Sequence, residues 1–137
     1  MQKIIETLNL HKSIKQISEN NILVEESIKK ASFLSLIKEI HKVGFEYLNY
    51  IYYFKYESRE IIKYCFYSPL AGGYFNLDFV LPGAGIDDRK RCFHSITEIF
   101  PAAKSLEENI SIHNKILISI DADERDSEKF LSNLEQT

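Results

Sequence analysis

Apolar and polar residues alternate along this chain in two rhythms. Between residues 29 and 43, Phe33, Leu36, Ile37, Ile40 and Val43 fall on one stripe at helical spacing, with Lys38, Glu39 and Lys42 off it. Gly44 follows as a natural C-terminal stop. The rhythm then shortens to two. Residues 74–81 put Phe75, Leu77, Phe79 and Leu81 on one face, and Asn76 and Asp78 on the other. Residues 45–56 and 60–67 read as two further aromatic-rich strands. Glu57-Ser58-Arg59 and Leu70-Ala71-Gly72-Gly73 are the turns between the three.

Outside this block the pattern is weaker. Ile4, Ile5, Leu8, Ile14 and Ile17 recur at roughly helical spacing, which predicts an N-terminal helical arm over residues 1–21, followed by a single α+β domain over 22–137. Residues 22–26 read as a short strand, and 82–91 as a loop. Residues 95–109 read as a helical turn followed by a helix, with Pro101 in its first turn. Residues 115–120 suit an edge strand, and 127–134 a final helix. The fold class expected is therefore α+β, an antiparallel three- to four-stranded sheet with helices packed mainly on one face.

Composition agrees with a packed domain. The 137 residues are 45% hydrophobic and 27% charged, and include 9 Phe and 8 Tyr. The net charge of −3 gives no strong field toward nucleic acid or anionic lipid. No stretch approaches the roughly 20 apolar residues of a spanning helix. The start lacks a continuous apolar run, and the only cysteines, Cys65 and Cys92, lie far apart. A cytoplasmic protein is expected, reaching the inner face of a membrane only through partner subunits.

Patterns that carry chemistry fail on spacing. His11, His41, His94 and His113 are scattered, with no partner at metal-ligand spacing, so no metal site is expected. Cys65 sits between Tyr64 and Phe66 as a buried thiol would. Cys92 follows Arg89-Lys90-Arg91, which favours its thiolate but supplies no base. Pro82-Gly83-Ala84-Gly85 lacks the lysine of a phosphate loop. The acidic neighbours Glu25-Glu26, Asp87-Asp88 and Glu107-Glu108 point apart on a regular element. No catalytic residue and no cofactor are expected. Residues 89–91, beside an aromatic sheet, leave a nucleic-acid-binding module as an alternative function, although Asp87 and Asp88 offset the triplet.

One segment is more specific. It runs Ser95-Ile96-Thr97-Glu98-Ile99-Phe100-Pro101-Ala102-Ala103-Lys104-Ser105-Leu106-Glu107-Glu108. It resembles the signature of the 30-kDa (C) subunit family of respiratory complex I, which also supplies small subunits of energy-converting, membrane-bound nickel–iron hydrogenases. That signature is Ser-Ile/Val-Thr, then Pro-Gly/Ala-Ala, then a helix with Trp-x-Glu-Arg-Glu-x-Tyr-Asp-x-Phe-Gly-Ile. Upstream, Leu48-Asn49-Tyr50 and Val80-Leu81-Pro82 fit the family's order of elements, so the likeness spans about residues 22–112. Glu107 takes the first signature glutamate. Ser105 stands for the tryptophan, Glu108 and Asn109 for the Arg and second Glu, and Ser111 and Ile112 for Tyr-Asp. The shortened motif suits a hydrogenase-type complex better than complex I itself.

The resemblance implies a non-catalytic structural subunit without cofactors. Its partners would be the large (nickel–iron or quinone-site) subunit and the iron–sulfur subunit, not nucleic acid. The expected interface is Ser95, Ile96, Ile99, Phe100, Pro101, Ala102, Ala103, Leu106 and Glu107, apolar groups flanking a small pair that permits close approach. An isolated chain could also pair with a second copy.

Overall fold

The computed structural model describes residues 14–25, 28, 30–81 and 92–119. A sheet of five strands forms the centre: β1 (Ile14–Ser18), β2 (Asn21–Glu25), β3 (Tyr47–Tyr56), β4 (Arg59–Ser68) and β5 (Gly73–Val80), in the order β1-β2-β5-β4-β3. Helix α1 (Lys30–Lys42) follows β2. After β5 come β6 (Cys92–His94), α2 (Ala103–Asn114) and β7 (Leu117–Ser119).

The meander β3-β4-β5 is antiparallel throughout, as its short connecting turns require. Ile62, Tyr64 and Phe66 of β4 and Phe75, Leu77 and Phe79 of β5 point to one inner face and are essentially fully buried. The ring of Phe33 from α1 docks on them, 5.5 Å from Phe79 and 6.1 Å from Tyr64. Phe100, just before α2, docks on the same face with its ring 5.0 Å from Phe66. Both helices therefore cover one side of the sheet. Each aromatic enclosed in this way contributes several kcal/mol by burial, on the order of 25 cal/mol per Å² of apolar surface.

Gly44 ends α1 at φ 117°, where its N–H reaches the His41 carbonyl at 3.1 Å and Phe45 N–H reaches Ile40 at 3.2 Å. This is the left-handed exit that glycine permits. At the β4–β5 turn, Ser68 Oγ accepts from Ala71 N–H at 3.2 Å.

Three expectations change. The sheet is mixed and has five strands, because β2 pairs in parallel with β5, placing Ile22 beside Leu77 and Val24 beside Phe79. Parallel neighbours need a long crossover, here α1 and the β3–β4 hairpin, and no local turn signal reveals such a pairing. Second, residues 14–18 are not part of a helical arm. They form β1, hairpinned onto β2 with Ile14 opposite Val24. Ile14 is buried while Ile17 is 64% exposed, so their apparent helical spacing does not mark a shared buried face. The rest of the expected arm, residues 1–13, lies outside the described residues, as do the expected 82–91 loop and 127–134 helix. Third, β7 falls within the expected edge strand but joins β6 in a separate two-stranded parallel sheet, with Phe93 beside Ile118.

Candidate functional site

The segment from β6 to α2 turns a sharp corner, and its polar groups explain how. Ile99 and Phe100 N–H both return to the Ile96 carbonyl, at 3.0 and 2.8 Å, winding the chain into a tight turn. Ala103 N–H reaches the Phe100 carbonyl at 2.9 Å and Lys104 N–H the Pro101 carbonyl at 3.3 Å, so the turn runs on into the helix. Pro101 precedes the helix rather than lying in it, where its missing N–H costs nothing. Ala102 holds the cap position with no side-chain cap.

A carboxylate closes the corner. Glu107, one turn into α2 and only 2% exposed, accepts Ser95 Oγ–H at 2.7 Å through Oε1 and Ile96 N–H at 2.8 Å through Oε2. Ser95 Oγ also lies 2.9 Å from Thr97 Oγ1 and accepts Thr97 N–H at 3.3 Å. One acidic side chain thus satisfies both polar groups of the Ser-Ile step that burial would otherwise strand. Burial raises the Glu107 carboxyl above its ordinary range. The hydrogen bonds from Ile96 and Ser95 pull it back in part, and neighbouring Glu108 pushes it up again. Above the clasp, the fully buried Tyr64 hydroxyl finds no hydrogen-bond partner, and burial with the Glu107 charge nearby holds its phenol well above the usual range.

Of the nine expected interface residues, Ser95, Ile96, Phe100, Ala103 and Glu107 are buried within the chain. Ile99 and Leu106 are half-buried against its core, and Pro101 and Ala102 are exposed. The segment's apolar side chains largely face inward; its outer surface is formed by Glu98, Pro101, Ala102, Lys104, Ser105 and Glu108. Sequence reasoning missed the role of Glu107, because a glutamate within a helix usually faces water.

His94 ties the small sheet to the large one. Its Nε2 lies 3.4 Å from the Ile28 carbonyl, and its ring sits 5.5 Å from Phe33 and 6.0 Å from Phe79. Burial lowers its pKa. The Ile28 contact opposes this and the Lys30 charge adds to it. His41 is exposed and meets Phe100 edge-on at 5.4 Å. Among the described residues, no three His, Cys, Asp or Glu side chains are grouped to hold a metal, and no helix is long and apolar enough to cross a membrane. Cys65, which is buried, and Cys92 form no disulfide. The basic triplet 89–91 lies outside the described residues.

The outer face of the sheet differs from the inner one. Tyr50, Tyr52 and Phe54 form a row along β3 with ring centroids 5.1 and 5.6 Å apart, and Tyr67 meets Tyr74 at 5.1 Å. Lys63 and Asp78 lie beside this row, 3.8 Å apart, with Lys63 Nζ 6.0 Å from the Phe54 ring. Burial raises the Asp78 carboxyl, and Lys63 opposes the rise.

No protein-family model matches the chain, and no curated protein matches it by sequence. Among solved structures it is similar to a chain of the membrane-bound sulfane sulfur reductase, described as an archaeal respiratory membrane complex. The TM-score is 0.58 at 14% identity, over 80% of this chain and 64% of that one. The described α+β fold thus recurs in a component of a respiratory complex, and this chain spans less than two thirds of that component.

Proposed function

We propose that the chain is a non-catalytic structural subunit of a complex I-like oxidoreductase or an energy-converting hydrogenase-type complex. It would pack against the large redox subunit through the corner between β6 and α2. The observation that carries this reading is the clasp of Glu107 on Ser95 and Ile96. The signature-like segment is built around that clasp, in a fold that recurs in a respiratory complex. A rigid corner suits a fitting piece, since a preorganised surface loses little entropy on docking. Exposed Pro101 and Ala102 would make the contact, with Ile99 and Leu106 at its margin. The buried Ser95, Ile96, Phe100, Ala103 and Glu107 would shape it from beneath. Affinity purification of the tagged chain from its own host, read by mass spectrometry, tests this. Redox and iron–sulfur subunits should co-elute in fixed ratio, and recovery of the chain alone would count against it.

The Tyr50-Tyr52-Phe54 row favours a second reading, single-strand nucleic-acid binding by base stacking. Asp78 beside that row opposes phosphate, so the subunit reading is preferred. A salt-dependent gel shift would revive the alternative.

A further inference from the structure

Strand β3 is the edge of the five-stranded sheet, and no strand of the described residues lies beyond it. It is ten residues long and carries neither proline nor glycine, and Lys55 is its only charge. Natural edges are usually blunted by prolines, charges or bulges, or covered, because an open row of backbone groups invites another strand; β3 has one lysine and one bulge, and no proline. Here the edge carries Tyr47 at 58% and Tyr52 at 43% exposure.

We infer that β3 pairs antiparallel with β3 of a second copy, about a two-fold axis at Ile51. The pattern of the strand supports this one register. Asn49 is the extra residue where β3 shifts against β4, between Leu48 and Tyr50. With that residue passed over on both strands, Tyr50 falls opposite Tyr52 of the mate and Tyr47 opposite Phe54, and extending the pairing by one residue puts Glu46, just before β3, opposite Lys55. Every pairing joins residues of the same face. On the outer face, the row Tyr50-Tyr52-Phe54 would continue across the axis into its own symmetry copy. Two-fold symmetry makes the Glu46 and Lys55 pairing twice. Both side chains are exposed, and neither forms an ion pair among the described residues.

The inference goes beyond the proposed subunit role and is read separately, on the isolated chain without any redox partner. Sedimentation velocity over a range of concentrations should find a dimer. Lys55→Glu and Glu46→Lys should each weaken it about tenfold, since each puts like charges together at two places. The double variant Glu46→Lys/Lys55→Glu should restore wild-type affinity. Exposure of both residues leaves folding intact, which circular dichroism would confirm. A monomer at every concentration overturns the inference. So does a dimer indifferent to both single reversals, or a double variant no tighter than the singles.

Discussion

Two carboxylates, the buried Glu107 in the corner and the half-buried Asp78 on the outer face of the sheet, do different work. Both are raised by burial. Glu107 is spent on the chain's own backbone and hydroxyls, so removing it strands groups that cannot reach water. Asp78 is balanced mainly by one lysine at 3.8 Å, close to solvent, where a partner or water can substitute. A carboxylate that accepts two buried donors is part of the architecture, whereas one held by a half-exposed cation is a surface feature.

The largest effect on either side of that comparison should come from the aromatic layer that carries the corner. Phe66→Ala removes the ring under Phe100 and should cost about 3–5 kcal/mol in denaturant unfolding. Tyr52→Ala on the outer face should cost under about 1 kcal/mol. Next, Glu107→Ala should cost about 2 kcal/mol by leaving the buried Ile96 N–H without its acceptor and Ser95 Oγ–H with only Thr97 Oγ1 to donate to. Lys63→Ala should cost less than about 1 kcal/mol. Equal losses for Glu107→Ala and Lys63→Ala would erase the distinction.

The pH dependence sharpens it. A carboxyl whose folded pKa is raised gives its full stabilising contribution below its unfolded pKa and loses it as pH rises through the folded value. Glu107→Gln keeps both contacts if the amide oxygen takes Ile96 N–H and its NH₂ donates to Ser95. Stability near neutrality should therefore be close to wild type, with the loss between mildly acidic and neutral pH removed. His94 works in the opposite sense. Its lowered pKa gives a contribution present above its unfolded value and lost as pH falls through the folded one, so His94→Phe should improve acid tolerance. Thermal melts from pH 4 to 8 check both signs. The smallest effect expected is a gain. Tyr64→Phe removes a buried hydroxyl without a partner and should stabilise the fold by up to about 1 kcal/mol.

Much of this was legible in the residues, for physical reasons that differ by region. Helix α1 and strands β4 and β5 carry their periodicity on long runs with one buried face, so Phe33 and Phe79 announced themselves; β3, which buries only Ile51, was marked by its run of aromatics. β1 did not, because Ile14 and Ile17 stand three apart in a strand that buries only the first. The parallel pairing of β2 with β5 joins residues more than fifty positions apart, as Ile22 and Leu77 illustrate, and leaves no local mark. β6 has three residues, too few to set a rhythm, and β7, though foreshadowed by the apolar run 115–120, gave no sign of its parallel pairing with β6. The segment 95–107 stood out by its pattern. That Glu107 faces inward was hidden, since helical spacing alone does not separate a clasped glutamate from a solvated one.

The corner's outer surface offers the most direct test of the account. Ala102→Arg alters an exposed side chain without touching the clasp, so the fold should survive, as a thermal melt would verify. Tagged wild-type chain and Ala102→Arg would be expressed in the native host, and the co-eluting redox subunits quantified by mass spectrometry. The account predicts stoichiometric recovery with the wild type and at least a tenfold loss with Ala102→Arg. Equal recovery with both, or none with either, would contradict it.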